Sequence, residues 1–255
     1  MQLTWLDSNS WLIEMAEKRI LLDPWLVGSL VFANQSWFFK GEKLTKHPIP
    51  ENIDLILLSQ GLEDHAHPPT LKVLDRNISV VGSPGAALVC KNLGYVNIYA
   101  LEHGKSFILD GQIEIKAVPG APIGPTLVEN GYILRNLNRR ESLYYEPHGF
   151  HSPSLKEEEA IEIIITPLVG LNLPLIGPFI KGQKSALELC KLLKPEFILP
   201  TTTGGSTEYQ GLLSRFLSEE GTIDDFRSLL SQNNLDIKVI NPQPGEPIEI
   251  KFSEK

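Results

Sequence analysis

Two short stretches carry side chains able to do acid–base chemistry. One is the run Asp54–Leu71, DLILLSQGLEDHAHPPTL, in which Asp64, His65 and His67 crowd together. The other is Glu146-Pro147-His148-Gly149-Phe150-His151. A carboxylate beside a histidine in a partly buried cleft tunes a general base near neutral pH, so His65, His148 and Glu146 are candidates for that role. The same residues also have a purely structural use. Asp64 can accept backbone N–H groups, and His65 can bridge two strand ends. Ser59, Thr201 and Thr202 offer hydroxyls, but no Gly-x-Ser-x-Gly elbow accompanies them, and they read as loop caps.

The elements that must position these residues follow from local pattern. Leu55-Ile56-Leu57-Leu58 is a continuous apolar run, as in a strand buried on both faces. It stops at Ser59, and Pro68-Pro69 suits the first turn of a helix. Asp64, His65 and His67 therefore fall where a buried strand hands over to a helix, the edge at which layered α/β folds bind ligands. Leu3–Leu6, Ser10–Glu14 and Lys18–Asp23 read as three earlier strands, and Pro84–Leu93 and Gln183–Leu193 as helices. Asp110-Gly111 marks a hairpin. Pro119–Pro125 reads as a rigid loop and Pro167–Gly182 as a second one. Gly131–Leu134 and Ser142–Tyr145 form a strand pair that ends at Glu146. Residues 26–50 form an inserted loop with Phe32, Trp37, Phe38 and Phe39. It is either an apolar lid or partner patch, or a loop folded back on the core.

The 255 residues are 42% hydrophobic and 21% charged, ordinary values for a globular chain. A formal charge of −8 gives no pull toward nucleic acid or an anionic membrane, so neither is an expected partner. The start MQLTWLDSNSWLIEM has no basic n-region and no long apolar core, and no later run reaches the length of a membrane span. Cys90 and Cys190 fall in separate helix-like segments and read as reduced, buried thiols of a cytoplasmic protein. No linker divides the chain, which reads as a single domain over residues 1–255.

The strand, polar turn and helix around Ser59-Gln60-Gly61-Leu62-Glu63-Asp64-His65 resemble the metallo-β-lactamase superfamily signature, a strand followed by Thr-His-x-His-x-Asp-His. Ser59 stands for the Thr, Gln60 and Leu62 for the first two His, and Asp64 and His65 match. Arg19–Trp25, RILLDPW, is similar to the Ile-Leu-Ile-Asp-Pro-Trp of the ascorbate-6-phosphate lactonase-like branch. That branch opens with Gly-His-Ser, replaced here by Asp7-Ser8-Asn9-Ser10. The resemblance implies an α/β chain folded as a four-layer αββα metallo-β-lactamase-like sandwich, with degenerate metal-binding motifs. Pro122 and Thr202 stand at two further family His positions, so the first metal site would be lost. Asp64, His65 and Glu146 would keep three side chains of the second site, and His148 would supply the fourth. Asp23, Gln60 and Thr202 would support that set from behind. Two oxygens and two imidazoles suit one zinc, or one manganese or iron completed by waters.

Three functions stand open at this point. The first is a one-metal hydrolase of a small phosphoester or lactone, with Asp64, His65 and Glu146 as its catalytic residues. The second is a metal-free, non-catalytic module that binds a small molecule or a protein, the Phe32–Phe39 loop being its contact surface. The third is acid–base catalysis by the same side chains without a metal. A nuclease is disfavoured by the acidic balance.

Overall fold

A computed structural model of the chain describes residues 1–123, 127–174 and 177–252. The contacts divide into two compact units. One comprises Met1–Glu102, Gly204–Phe216 and Gln243–Ile250; the other comprises His103–Thr203, Leu217–Pro242 and the residues from Lys251.

The first unit is built on a seven-stranded sheet, in the spatial order Pro247–Glu249, Gln2–Trp5, Trp11–Met15, Lys18–Leu22, Leu55–Leu58, Ser79–Gly82 and Ile98–Ala100. The opening strands form an antiparallel meander, and pairing becomes parallel from Lys18–Leu22 onward. Helices Pro68–Val73 and Pro84–Asn92 make the return crossings that parallel strands require. Leu55, Ile56, Leu57 and Leu58 are all fully buried, which is why this strand has no alternating polar face. Leu12, Leu21, Ile56, Leu71, Val80, Cys90 and Tyr95 belong to one core beneath the helices.

Residues 26–50 are more ordered than an inserted loop. Leu30–Val31 and Lys40–Lys43 join Thr207–Gln210 in a three-stranded antiparallel sheet. Phe39 is buried, stacked on Tyr209 at 5.4 Å and tilted against Phe32 at 5.3 Å. Trp37, by contrast, is 66% exposed. The aromatic cluster therefore divides between a core ring and a surface ring.

The second unit has its own seven-stranded sheet, ordered Lys238–Val239, Phe197–Leu199, Ile163–Ile165, Ser142–Tyr145, Leu127–Asn136, Ile113–Ile123 and Ser106–Leu109. The strands from Lys238–Val239 to Ser142–Tyr145 pair in parallel and the remainder antiparallel. Helices Gln183–Leu193 and Ile223–Gln232 bury Ala186, Leu189, Cys190, Phe226 and Leu230 in its core. Thr222 and Asp225 form the capping box that starts the second helix.

Two expected loops are strands. Ile113–Ile123 runs on through Pro119 and Pro122, paired with Leu127–Asn136, and its register shifts between those prolines. A bulge is where a strand tolerates proline, because a ladder N–H is already missing there. The Gly124-Pro125 end of that expected loop lies outside the described residues. Within 167–182, Gly170–Leu173 and Gly177–Ile180 form a hairpin that also pairs with Ser218–Glu220; Leu175 and Ile176 lie outside the described residues. Cys90 and Cys190 are free and buried, and burial pushes both thiols up to about 12, so neither is a nucleophile at neutral pH. Among the described residues, no helix is long and apolar enough to cross a membrane.

Candidate metal centre

In the first unit, the turn after Leu55–Leu58 is fixed from the neighbouring strand. Asp23 ends Lys18–Leu22 and is wholly buried. Its Oδ1 accepts from Ser59 N at 2.7 Å, and its Oδ2 accepts from Ser59 Oγ at 2.5 Å. The same Oδ2 lies 2.7 Å from Nδ1 of His65, itself fully buried. With Nδ1 held there, Nε2 faces Asp64 Oδ2 at 3.0 Å and Asn9 Nδ2 at 3.3 Å. Burial pushes the His65 pKa down, but the charges of Asp64 and Asp23 outweigh it and hold the ring well above the usual imidazole range. A carboxylate on one ring nitrogen is how proteins orient a histidine whose other nitrogen binds a metal.

The other polar residues of this turn differ in use. His67 precedes helix Pro68–Val73, with Nδ1 3.0 Å from Thr70 Oγ1 and Nε2 3.2 Å from the Ser29 carbonyl. Burial lowers it to about 4, so it is a neutral bridge between the helix start and residue 29. Gln60 is buried, and its Oε1 has no hydrogen bond among the described residues. Leu62 is half-exposed and contributes only its carbonyl, which accepts from His65 N and Ala66 N. Asp7, in the segment that replaces Gly-His-Ser, accepts from Ser206 N, Ser206 Oγ and Thr207 Oγ1.

In the second unit, Glu146 follows strand Ser142–Tyr145 and is fully buried. Its Oε2 accepts from Phe150 N at 2.7 Å, and both oxygens lie 3.3 Å from His148 N. Two glycines make room for it. A Cβ on Gly120 would meet Glu146 Oε1 at 3.3 Å, and one on Gly131 would meet Glu146 Cγ at 3.4 Å. Burial pushes the Glu146 carboxyl up, the charge of His148 pulls it down, and the charge of Glu129 pushes it up again, leaving it at about 7. Glu129, on strand Leu127–Asn136, is 4% exposed, and its Oε2 lies 2.9 Å from His148 Nδ1. One oxygen each from Glu129 and Glu146 and one nitrogen from His148 all fall within 4.8 Å of one another. Two carboxylates and an imidazole, nearly out of water, are a fitting donor set for a zinc, manganese or iron ion.

The loop carrying His148 is tied down along its backbone. Thr166 Oγ1 donates to the Glu146 carbonyl at 3.0 Å, Thr202 Oγ1 to the Pro147 carbonyl at 2.6 Å, and Lys181 N to the His148 carbonyl at 2.8 Å. His151 is pushed down to about 3, first by burial and then by the charge of Lys181. Its Nδ1 meets the Tyr144 hydroxyl at 3.2 Å and stands 4.0 Å from Glu146 Oε2. His103 is exposed, with Nε2 3.0 Å from the Glu129 carbonyl. Glu129 is the residue that sequence reasoning missed. The expected strand begins at Gly131, four positions after the observed start at Leu127. Extending the alternation back from Ile133 through Gly131 places Glu129 on the same face of the strand.

Residues 2–202 match the Beta-lactamase superfamily domain, and the chain belongs to that family. A UPF0173 metal-dependent hydrolase of Methanopyrus kandleri is 25% identical over 256 residues, covering 98% of this chain and 100% of the relative. The solved isothiocyanate hydrolase from Delia radicum gut bacteria superposes with a TM-score of 0.72 at 17% identity, over 99% of this chain and 100% of the other. Igni18, a metallo hydrolase from the archaeon Ignicoccus hospitalis, gives a TM-score of 0.69 at 17% identity, over 99% of each chain. These likenesses show the metallo-β-lactamase fold, as the motif around Asp64 and His65 led us to expect.

Proposed function

We propose that the chain is a metal-dependent hydrolase of a small phosphoester or lactone, and that it holds one divalent ion, zinc, manganese or iron. The observation that carries this reading is the orientation of His65, whose Nδ1 is committed to Asp23 while Nε2 is turned to the oxygen of Asp64. A second carboxylate at Nε2 places two donor atoms, one nitrogen and one oxygen, side by side at the strand end. The printed name of the Methanopyrus relative, a metal-dependent hydrolase, supports the same chemistry. The likeness of Arg19–Trp25 to the ascorbate-6-phosphate lactonase-like branch supports the substrate class. When bound, the ion would lower the pKa of a water and polarise a substrate oxygen.

The chain's own residues supply the rest. In the first unit, Asp23 and Ser59 hold the His65 ring beside the Asp64 carboxylate; in the second, Glu146 and His148 offer an oxygen and a nitrogen. Gln60, Leu62, Pro122 and Thr202 replace four family histidines, and this argues for one ion rather than two. Thr202 commits its hydroxyl to the Pro147 carbonyl, so its part is to hold the loop.

The test is elemental analysis of protein purified without chelator or metal-binding tag, beside the Asp64→Ala and His65→Ala variants. We expect about one ion per chain, lost in both variants, and hydrolysis of an aryl phosphate or a lactone that tracks metal content. Wild-type protein that carries no ion and takes up none on titration with zinc, manganese or iron(II) would overturn the reading.

A further inference from the structure

We propose that Glu129 is a metal ligand, completing with Glu146 and His148 an oxygen-rich donor set in place of the histidine missing at Pro122. The inference rests on the proposed metal-dependent function and goes beyond it by naming a ligand that the family motif does not contain.

The sheet register supplies the first argument. Asn130 lies opposite Pro119 and Val128 opposite Pro122, so Glu129 stands across from the Gly120-Ala121 bulge. The residue is thus one strand away from the position of the lost histidine. The bulge and the absent side chain of Gly120 leave space beside Glu146 Oε1. A one-residue offset between strands therefore restores a donor that the sequence motif has lost.

Hydrogen bonding supplies the second. Glu129 Oε2 is buried and lies 2.9 Å from His148 Nδ1, yet it makes no hydrogen bond among the described residues. With an oxygen of Glu146, these two atoms fall within 4.8 Å of one another, close enough to ligate one ion. A buried carboxylate oxygen without a hydrogen bond is costly, and a second carboxylate within 4.8 Å adds repulsion. A cation answers both. Two carboxylates and one imidazole form a harder donor set than the family's histidine-rich one, which favours manganese or iron(II) relative to zinc.

The experiment is calorimetric titration of Mn²⁺, and separately Zn²⁺, into the chelator-stripped full chain, with melting recorded before and after. It compares wild type, Glu129→Gln, Glu129→Asp and Asp64→Ala. We expect Glu129→Gln to melt near wild type without metal, to bind Mn²⁺ at least about tenfold more weakly, and to lose the metal-induced rise in Tm. Glu129→Asp keeps the charge but withdraws the oxygen by one methylene, and should weaken binding less. Should Glu129→Gln fail to fold, Glu129→Asp decides the matter. Wild-type affinity in the folded variants, with binding lost in Asp64→Ala, would overturn the role of Glu129 and leave the hydrolase reading standing. No uptake by wild type would overturn both.

Discussion

At the Asp64–His65 turn, the imidazole is surrounded by groups that satisfy it: Asp23 at Nδ1, with Asn9 and Asp64 at Nε2. At the Glu146–His148 loop, two buried carboxylates share space with one imidazole, and among the described residues an oxygen of Glu129 makes no hydrogen bond. The residue types are the same, and the difference lies in how each group is held. The turn is positioned by side chains, so its geometry depends on a buried carboxylate. The loop is held at its backbone, its carbonyls by Thr166, Thr202 and Lys181 and its amides by the Glu146 carboxylate, while Glu129 and His148 face one another. One region is organised in advance around a ring. The other concentrates negative charge and gains most from a cation.

The largest expected effect follows from the side-chain anchoring of the turn. Asp23→Ala removes the acceptor for Ser59 N, Ser59 Oγ and the His65 ring together, all in a fully buried setting. Removing one partner of a buried charged pair costs about 3–5 kcal/mol, and the orphaned donors add to that. Chemical denaturation should show a loss of this size, with metal content falling as the ring loses its orientation. A loss below about 1 kcal/mol would mean that the turn, like the loop, is held by its backbone, and the contrast would fail.

The same contrast explains what the sequence reveals. Asp23, Ser59, Asp64 and His65 belong to local motifs: an apolar run, its polar stop and a proline-started helix. Local pattern is what single-sequence reading detects. The opening strands, the Leu55–Leu58 strand and helices Pro84–Asn92 and Gln183–Leu193 were legible for that reason. Glu129 was not, because its importance comes from cross-strand register and a bulge, and a bulge leaves little trace when its residues are prolines and glycines. Proline between Pro119 and Pro122 was read as a loop signal, whereas the sheet had accommodated it at an irregular pairing. The residues 26–50 misled in a similar way. Thr207–Gln210, the partner strand of Lys40–Lys43, lies far along the chain, so the small sheet has no local signature.

A middle-sized effect tests the backbone anchoring of the loop. Thr202→Val keeps the β-branched shape at a residue with φ of 75°, so backbone strain is matched in both proteins. What changes is the hydroxyl that donates to the Pro147 carbonyl. The expected cost is about 1–2 kcal/mol in denaturation, with weaker metal uptake as the loop carrying Glu146 and His148 loosens. Full stability combined with full uptake would show that Thr166 and Lys181 suffice to hold the loop.

The smallest effect sharpens the boundary of the candidate centre. His151 stands close to Glu146, yet burial keeps its ring neutral, and its Nδ1 shares a hydrogen bond with the Tyr144 hydroxyl. If that hydrogen bond is the whole role of Nδ1, Tyr144→Phe should cost about 0.5–1.5 kcal/mol and leave metal content and metal affinity at wild-type values. The ring itself stays packed edge-on against the aromatic at 144, since phenylalanine preserves the T-shaped contact at 5.7 Å. A fall in metal affinity beyond the error of the titration would instead place His151 among the groups that control Glu146. The loop would then contain two working histidines, His148 and His151.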